Sequence, residues 1–152
     1  MKKILIAGCG GAPSEGVVNS LLKCNKHDEI IGMGSEPTDL ILSNAKRKYH
    51  VPYADSVEYE GELLKLLNFE KPDLVHFQND LEIFEASKFR DKILKTGTKL
   101  FMPNHDVIDV CVDKYKTYLK WEKSGLKIPK NILINNEDDL KESFSELGDA
   151  EG

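Results

Sequence analysis

Gly8, Gly10 and Gly11 fall in the stretch "ILIAGCGGAPSEG", between an aliphatic run and an amphipathic segment. Glycine adopts positive φ without strain and lets other groups come close to the backbone. Between a strand and a helix, such a loop makes an anion seat, because the first N–H groups of a helix have no internal partner. Two nucleotide-binding patterns can be tested against it. A dinucleotide fingerprint needs Gly-x-Gly-x-x-Gly and an acid at the end of the second strand. Here Pro13 stands at the third glycine position, and Met33-Gly34-Ser35 offers no acid until Glu36. A P-loop needs Gly-Lys-Ser/Thr, whereas Gly16 is followed by Val17 and Val18. Glu15 would also stand beside a bound phosphate and repel it. An NAD-dependent enzyme is therefore disfavoured, and a tight turn made for packing is the alternative reading of the loop.

A second group is Phe77-Gln78-Asn79-Asp80-Leu81-Glu82, which follows an apolar run and opens a helical pattern. Ligands of open α/β sheets bind beyond the carboxyl ends of the strands. Asp80 and Glu82 would then share an edge with the glycine loop. The same residues also suit a helix start, with Asn79 or Asp80 as N-cap and Glu82 facing the positive end of the helix dipole. The four histidines show no metal-ligand spacing, and His76 at a strand end reads as structural. Cys9 lies near a helix N-terminus, which can activate a thiol. No base is placed to use it, so a small loop residue is expected there.

A formal net charge of −5 argues against general binding to nucleic acid or anionic membranes. The basic run Lys46-Arg47-Lys48 reads as the solvated end of a helix. Cys9, Cys24 and Cys111 are an odd number without a Cys-x-x-Cys pair, which suits free thiols in a reducing compartment. No leader-like or membrane-spanning run is visible. A cytoplasmic protein is expected.

Short apolar runs alternating with helical patterns predict an α/β fold with a parallel sheet and helices on both faces. Strands are expected at 4–7, 29–33, 72–77 and 99–103. The piece at 50–53 contains Pro52 and is demoted to an edge. Helices are expected behind Val17, Val18, Leu21 and Leu22, over 39–48, and around Leu63, Leu64 and Leu67. A further helix carries Ile83, Ala86, Phe89 and Ile93 and closes at Gly97. The pattern changes near residue 104. Asn104 can cap a short helix over 106–110. The next helix starts at Asp113, carries Tyr115, Tyr118 and Leu119, and ends at Gly125 in the left-handed conformation. A β-rich run over 128–134 precedes a last helix with Leu140, Phe144 and Leu147 inward, closed by Gly148.

Val112-Asp113-Lys114, followed by a helix and then Ser124-Gly125-Leu126-Lys127-Ile128-Pro129-Lys130, resembles the "D-K … G-(I/L)-x-(I/V)-P" stretch of ATP-grasp ligases. In that family the stretch joins the pre-ATP-grasp domain to the ATP-binding module. "ILIAGCGGAPSEG", "PDLVHFQNDLEI" and "KLFMP" resemble the first strand and loop, the acidic strand-to-helix segment and the last strand of the carbamoyl-phosphate synthase large-subunit type. The resemblance spans essentially the whole chain.

The resemblance implies a Rossmann-like pre-ATP-grasp domain over 1–112, then a linker helix and the incomplete start of an ATP-grasp subdomain over 113–152. It implies that Lys114 reaches the ATP phosphates, a role suited to a point charge on a flexible stem. Gly10, Gly11 and Glu82 would border the acceptor-substrate side. No catalytic or metal-ligating residue is assigned. The second glycine-rich loop, the adenine hinge and the Glu/Asn pair for Mg²⁺ are not in this sequence. ATP and Mg²⁺ are thus expected in the complete enzyme, without tight binding by this chain alone. The remainder of the module would lie in the same parent chain or in a partner chain. A small-molecule acceptor completes the partners, with a homodimer left open. The alternative is a stand-alone Rossmann-like module that binds a small anionic ligand or nucleotide.

Overall fold

The computed structural model describes residues 1–148, so the end of the expected 113–152 segment lies outside the described residues. The chain divides into two compact units, Met1–Ile108 and a second one from Asp109 onward. No helix among the described residues is long and apolar enough to cross a membrane.

The first unit is built on five parallel strands: β1 (Lys3–Ile6), β2 (Glu29–Gly34), β3 (Arg47–His50), β4 (Leu74–His76) and β5 (Lys99–Leu100). Their order across the sheet is β3-β2-β1-β4-β5. The register puts Ile4 beside Ile30 and Leu74, and Leu5 beside Ile31 and Val75. Side chains alternate between the faces of a strand, so the sheet feeds two cores. Leu5, Ala7, Ile31, Met33 and Val75 join one cluster, and Ile4, Ile6 and Ile30 join the other. The second cluster is closed by Val18 of α1 (Ala12–Cys24) and Leu40 of α2 (Pro37–Leu42). The first is closed by Leu63 and Leu67 of α3 (Tyr59–Glu70), Ala86 of α4 (Asp80–Lys88) and Ile93 of α5 (Arg90–Lys95). The doubly wound α/β sheet is therefore as expected.

Three local expectations are corrected. The helix predicted over 39–48 stops at Leu42, and Lys46-Arg47-Lys48 leads into the edge strand β3 rather than ending a helix. Arg47 has tertiary partners that a helical reading could not supply. It donates to both Glu70 carboxylate oxygens, at 2.9 and 2.7 Å, and also to Glu29. The single helix predicted through Ile83 and Ile93 breaks at Phe89, whose φ of −118° and ψ of 27° are not helical. Gly97 follows α5 with positive φ, where glycine is strain-free.

The second unit contains part of α6 (His105–Val112), then α7 (Lys114–Lys123) and α8 (Glu137–Leu147). Gly125 has a φ of +74° just after α7, as its place in the sequence predicts. No strand forms over 128–134. Leu140, Phe144 and Leu147 are exposed rather than inward, Phe144 to 72%. A β-rich run needs a neighbouring strand to satisfy its backbone. An amphipathic helix likewise needs a surface to cover, and the described residues of this unit offer neither.

Glu70 is the polar tie of the first unit. It is 4% exposed and is held by Arg47, the Tyr49 hydroxyl and the Lys3 ammonium. The Arg47 guanidinium holds its carboxyl down at about 2. The folded pKa lies below the unfolded one, so this contribution is complete above pH ~4.5 and is lost as pH falls toward 2. Glu70→Gln should lower the urea midpoint at pH 7. It should also flatten the acid limb of a stability–pH curve between pH ~4.5 and ~2, as read by denaturation followed by circular dichroism.

Candidate functional site

A cleft of about 370 Å³ opens beyond the carboxyl ends of β1, β2 and β4. It lies where strand connections diverge, because β2 and β3 extend to one side of β1 while β4 and β5 extend to the other. This switch point is where open α/β sheets receive ligands. Its floor and walls come from the loop after β1 (Gly8, Gly11), the segment after β2 (Ser35, Glu36, Asp39), the segment after β3 (Tyr53) and the start of α4 (Asn79, Glu82).

The glycine loop is shaped by close contacts. Gly8 and Gly10 have φ of +64° and +94°. A β-carbon on Gly10 would lie 1.9 Å from the Asp39 carbonyl oxygen, so the loop backbone rests directly on α2. The loop N–H groups are largely spent within the protein. Cys9 donates to the Met33 carbonyl at 3.0 Å, and Gly11 to the Gly8 carbonyl at 3.3 Å. Gly10 donates to Glu15 Oε1 at 3.2 Å, while Glu15 Oε2 accepts from the Asn44 N–H at 3.0 Å. A carboxylate of the protein itself thus takes the place a ligand phosphate would need. Dinucleotide binding is opposed by Glu15 more than by a missing acid, since Glu36 does reach the cleft. Burial pushes the Cys9 thiol up to about 11, which makes it an inert packing group.

Asn79, not Asp80, caps α4. Its side chain accepts from the Leu81 and Glu82 N–H groups at 2.8 and 3.4 Å. The cap orients the first turn so that Glu82 points inward. Glu82 is 6% exposed. Its Oε1 accepts from the Tyr59 hydroxyl at 3.4 Å, and Oε2 has no partner among the described residues. A β-carbon on Gly8 would lie 3.4 Å from Oε2, so glycine there leaves room for the acid. Burial raises the Glu82 carboxyl to about 7, and the Tyr59 hydroxyl offsets this only in part. Such a group exchanges a proton near neutrality and is suited to acid–base work or to holding a cation.

Gly11 and Glu82, expected on one side of a substrate site, line the same cleft. Gly10 shapes the loop from behind. Lys114 is exposed at the first position of α7 in the second unit, after Asp113, which caps the helix by accepting from the Tyr115 and Lys116 N–H groups. Among the described residues, no group of three His, Cys, Asp or Glu could hold a metal ion. Tyr59 escaped the sequence reading because it lies 23 residues before its partner, on another helix. Glu36 and Asp39 could have been found by asking which acids follow the carboxyl end of β2.

No protein-family model matches the chain, and a sequence search of characterised proteins finds no match. Solved structures do share its fold. N5-carboxyaminoimidazole ribonucleotide synthetase from Thermotoga maritima matches 98% of this chain and 37% of its own, at 21% identity and a TM-score of 0.64. L-amino acid ligase from Bacillus licheniformis matches 97% and 42%, at 12% identity and a TM-score of 0.66. The biotin carboxylase domain of Hydrogenobacter thermophilus 2-oxoglutarate carboxylase, solved with MgADP, ADP and bicarbonate, matches 97% and 33%, at 15% identity and a TM-score of 0.60. The chain spans about a third to two-fifths of these structures. It has the fold found in these structures, with an α/β first unit built on a five-stranded parallel sheet.

Two substitutions test the geometry. Gly10→Ala places a methyl group on the Asp39 carbonyl and forces a positive φ. It should cost at least about 2 kcal/mol in urea denaturation. Glu82→Gln should remove a pH dependence. The folded pKa of Glu82 lies above the unfolded one, so its neutral form costs nothing below pH ~4.5, stability falls as pH rises from ~4.5 to ~7, and the loss is complete above that. The variant should gain on the wild type across that window, levelling at about 3 kcal/mol above pH 8.

Proposed function

We propose that the chain is the N-terminal portion of an ATP-dependent carboxylate–amine ligase similar to the carbamoyl-phosphate synthase large subunit. In the complete enzyme, ATP with Mg²⁺ supplies a phosphoryl group to a carboxylate or bicarbonate oxygen, releasing ADP. An amine nitrogen then attacks the acyl carbon and phosphate leaves. This chain's share is to position. Gly11 and Glu82 bound the substrate side, with Gly10 fixing the loop. Lys114 is the cation this chain would offer to the ATP phosphates.

One observation carries the reading. The fold of nearly the whole chain is that of the ligases above, and the inward Glu82 lies in a cleft at the expected sheet edge. The second unit supports it. Trp121, Phe144 and Leu147 are exposed there, apolar side chains that a larger module would cover. The alternative of a stand-alone module for an anionic ligand fits the cleft less well, because its lining carries acids and no Lys or Arg.

Calorimetry with MgATP tests this. The 152-residue chain should show no binding tighter than about 1 mM, a weak level on the affinity scale. A Mg²⁺-dependent micromolar complex of the chain by itself would sink the reading. In the ligase containing this chain, Lys114→Ala should lower kcat/KM for ATP about tenfold or more.

A further inference from the structure

The break between α4 and α5 places a guanidinium where the sheet ends. Phe89 leaves the helical path and packs edge-on against Tyr59. Arg90 then opens α5, and its Nη1 donates to the Met102 and Pro103 carbonyls at 2.7 and 3.1 Å. A cavity of about 440 Å³ lies between this break and the residues after β5. It shares no lining residue with the cleft that holds Glu82.

The charge of this cavity is opposite to that of the chain. Lys88, Arg90, Lys92 and Lys95 line it against one acid, Asp91, in a protein of net charge −5. Lys88 and Lys92 are matched by Glu85 and Glu60. Arg90 and Lys95 have no carboxylate partner among the described residues. Arg90 is half-buried and pinned through Nη1, and its Nε and Nη2 groups have no partner among the described residues. A guanidinium held in this way is preorganised for an oxyanion, because its planar fork loses little freedom on binding.

His105 supplies a second, different contact. The Ser87 hydroxyl donates its one proton to the Phe84 carbonyl at 2.6 Å. His105 Nδ1 lies 2.7 Å from the same hydroxyl oxygen, so it is the ring N–H that donates there. The Phe84 ring holds the imidazole from the side, with centroids 5.4 Å apart. In the neutral ring Nε2 is then an acceptor, suited to a ligand hydroxyl. Two unmatched cations suit a group of charge near −2, which a phosphate monoester carries at pH 7 and a carboxylate does not.

We propose that this cavity binds a small hydroxyl-bearing phosphate monoester, with Arg90 and Lys95 on the phosphate and His105 Nε2 accepting from the hydroxyl. The proposal does not depend on the ligase reading, since neither Glu82 nor Lys114 takes part.

NMR of the 152-residue chain at pH 7, without Mg²⁺ and at constant ionic strength, tests it with glycerol 3-phosphate, inorganic phosphate and acetate. Glycerol 3-phosphate should shift the Arg90 Nε–H and His105 ring signals along a saturating curve at millimolar concentration. Inorganic phosphate should bind several-fold more weakly for want of the hydroxyl contact, and acetate should leave both signals unmoved. Arg90→Lys keeps the charge but loses the fork, and should weaken the ester about tenfold. If that variant does not fold, Lys95→Ala replaces it, since Lys95 is exposed, with a loss of about threefold expected. Lys26→Ala, an equal change of charge at an exposed residue outside the cavity, should bind like the wild type. The proposal is overturned if the shifts do not saturate, if phosphate or acetate binds as well as the ester, or if the Arg90 and Lys95 variants respond like the wild type. With Mg²⁺ left out, this result and the MgATP result are independent of each other.

Discussion

The carboxylate of Glu15 accepts from the Gly10 and Asn44 N–H groups, and this clasp sets what the cleft can hold. It ties the loop after β1 to the segment between α2 and β3, which are far apart in sequence. Gly10 can sit against the Asp39 carbonyl only because it has no side chain. The loop, α2 and the acids of the segment after β2 are thereby fixed as one rigid wall. Without the clasp, the Gly10 N–H would be free at a helix start, where such donors attract phosphate elsewhere, while the Cys9 and Gly11 N–H groups would stay bonded to the Met33 and Gly8 carbonyls. With it, the loop keeps its shape and loses that function.

Glu82 is the other half of this design. Its carboxyl sits under the cleft with a single long hydrogen bond and is raised to about 7 by burial. Such a group lowers stability, and proteins tolerate it chiefly where it performs a task. Glu70 is the contrasting acid of the same unit. It is equally buried but surrounded by Arg47, Tyr49 and Lys3, and is held at about 2. The two carboxyls lie at opposite ends of the sheet. One is neutralised by partners and stabilises the fold; the other keeps a single hydrogen bond, from the Tyr59 hydroxyl, among the described residues.

Much of the first unit is legible in the sequence because its pattern is local. The aliphatic runs give β1, β2 and β4, and Asn79 caps α4 through an interaction two or three residues long. The failures share a physical cause. Lys46-Arg47-Lys48 looks like a helix end, but Arg47 belongs in β3 because Glu29 and Glu70 wait for it across the sheet. Phe89 continues a helical spacing, yet its ring packs edge-on against Tyr59 where the helix breaks. Leu140 and Phe144 have the spacing of a buried face and no described surface to cover.

The sequence alone determined the alternation of strand and helix, the glycine turn, the failure of both nucleotide patterns and the resemblance carried by Asp113-Lys114 and Gly125. Each rests on residues that touch near neighbours or on spacing within one element. Only the tertiary structure decided what Glu15 and Glu82 do. Both are acids at helix starts, and the sequence shows the hydrogen-bond partners of neither. Folding places one against backbone donors and the other in a dry corner beside Tyr59. The local dielectric and the available hydrogen-bond partners, which no spacing encodes, then give them opposite roles.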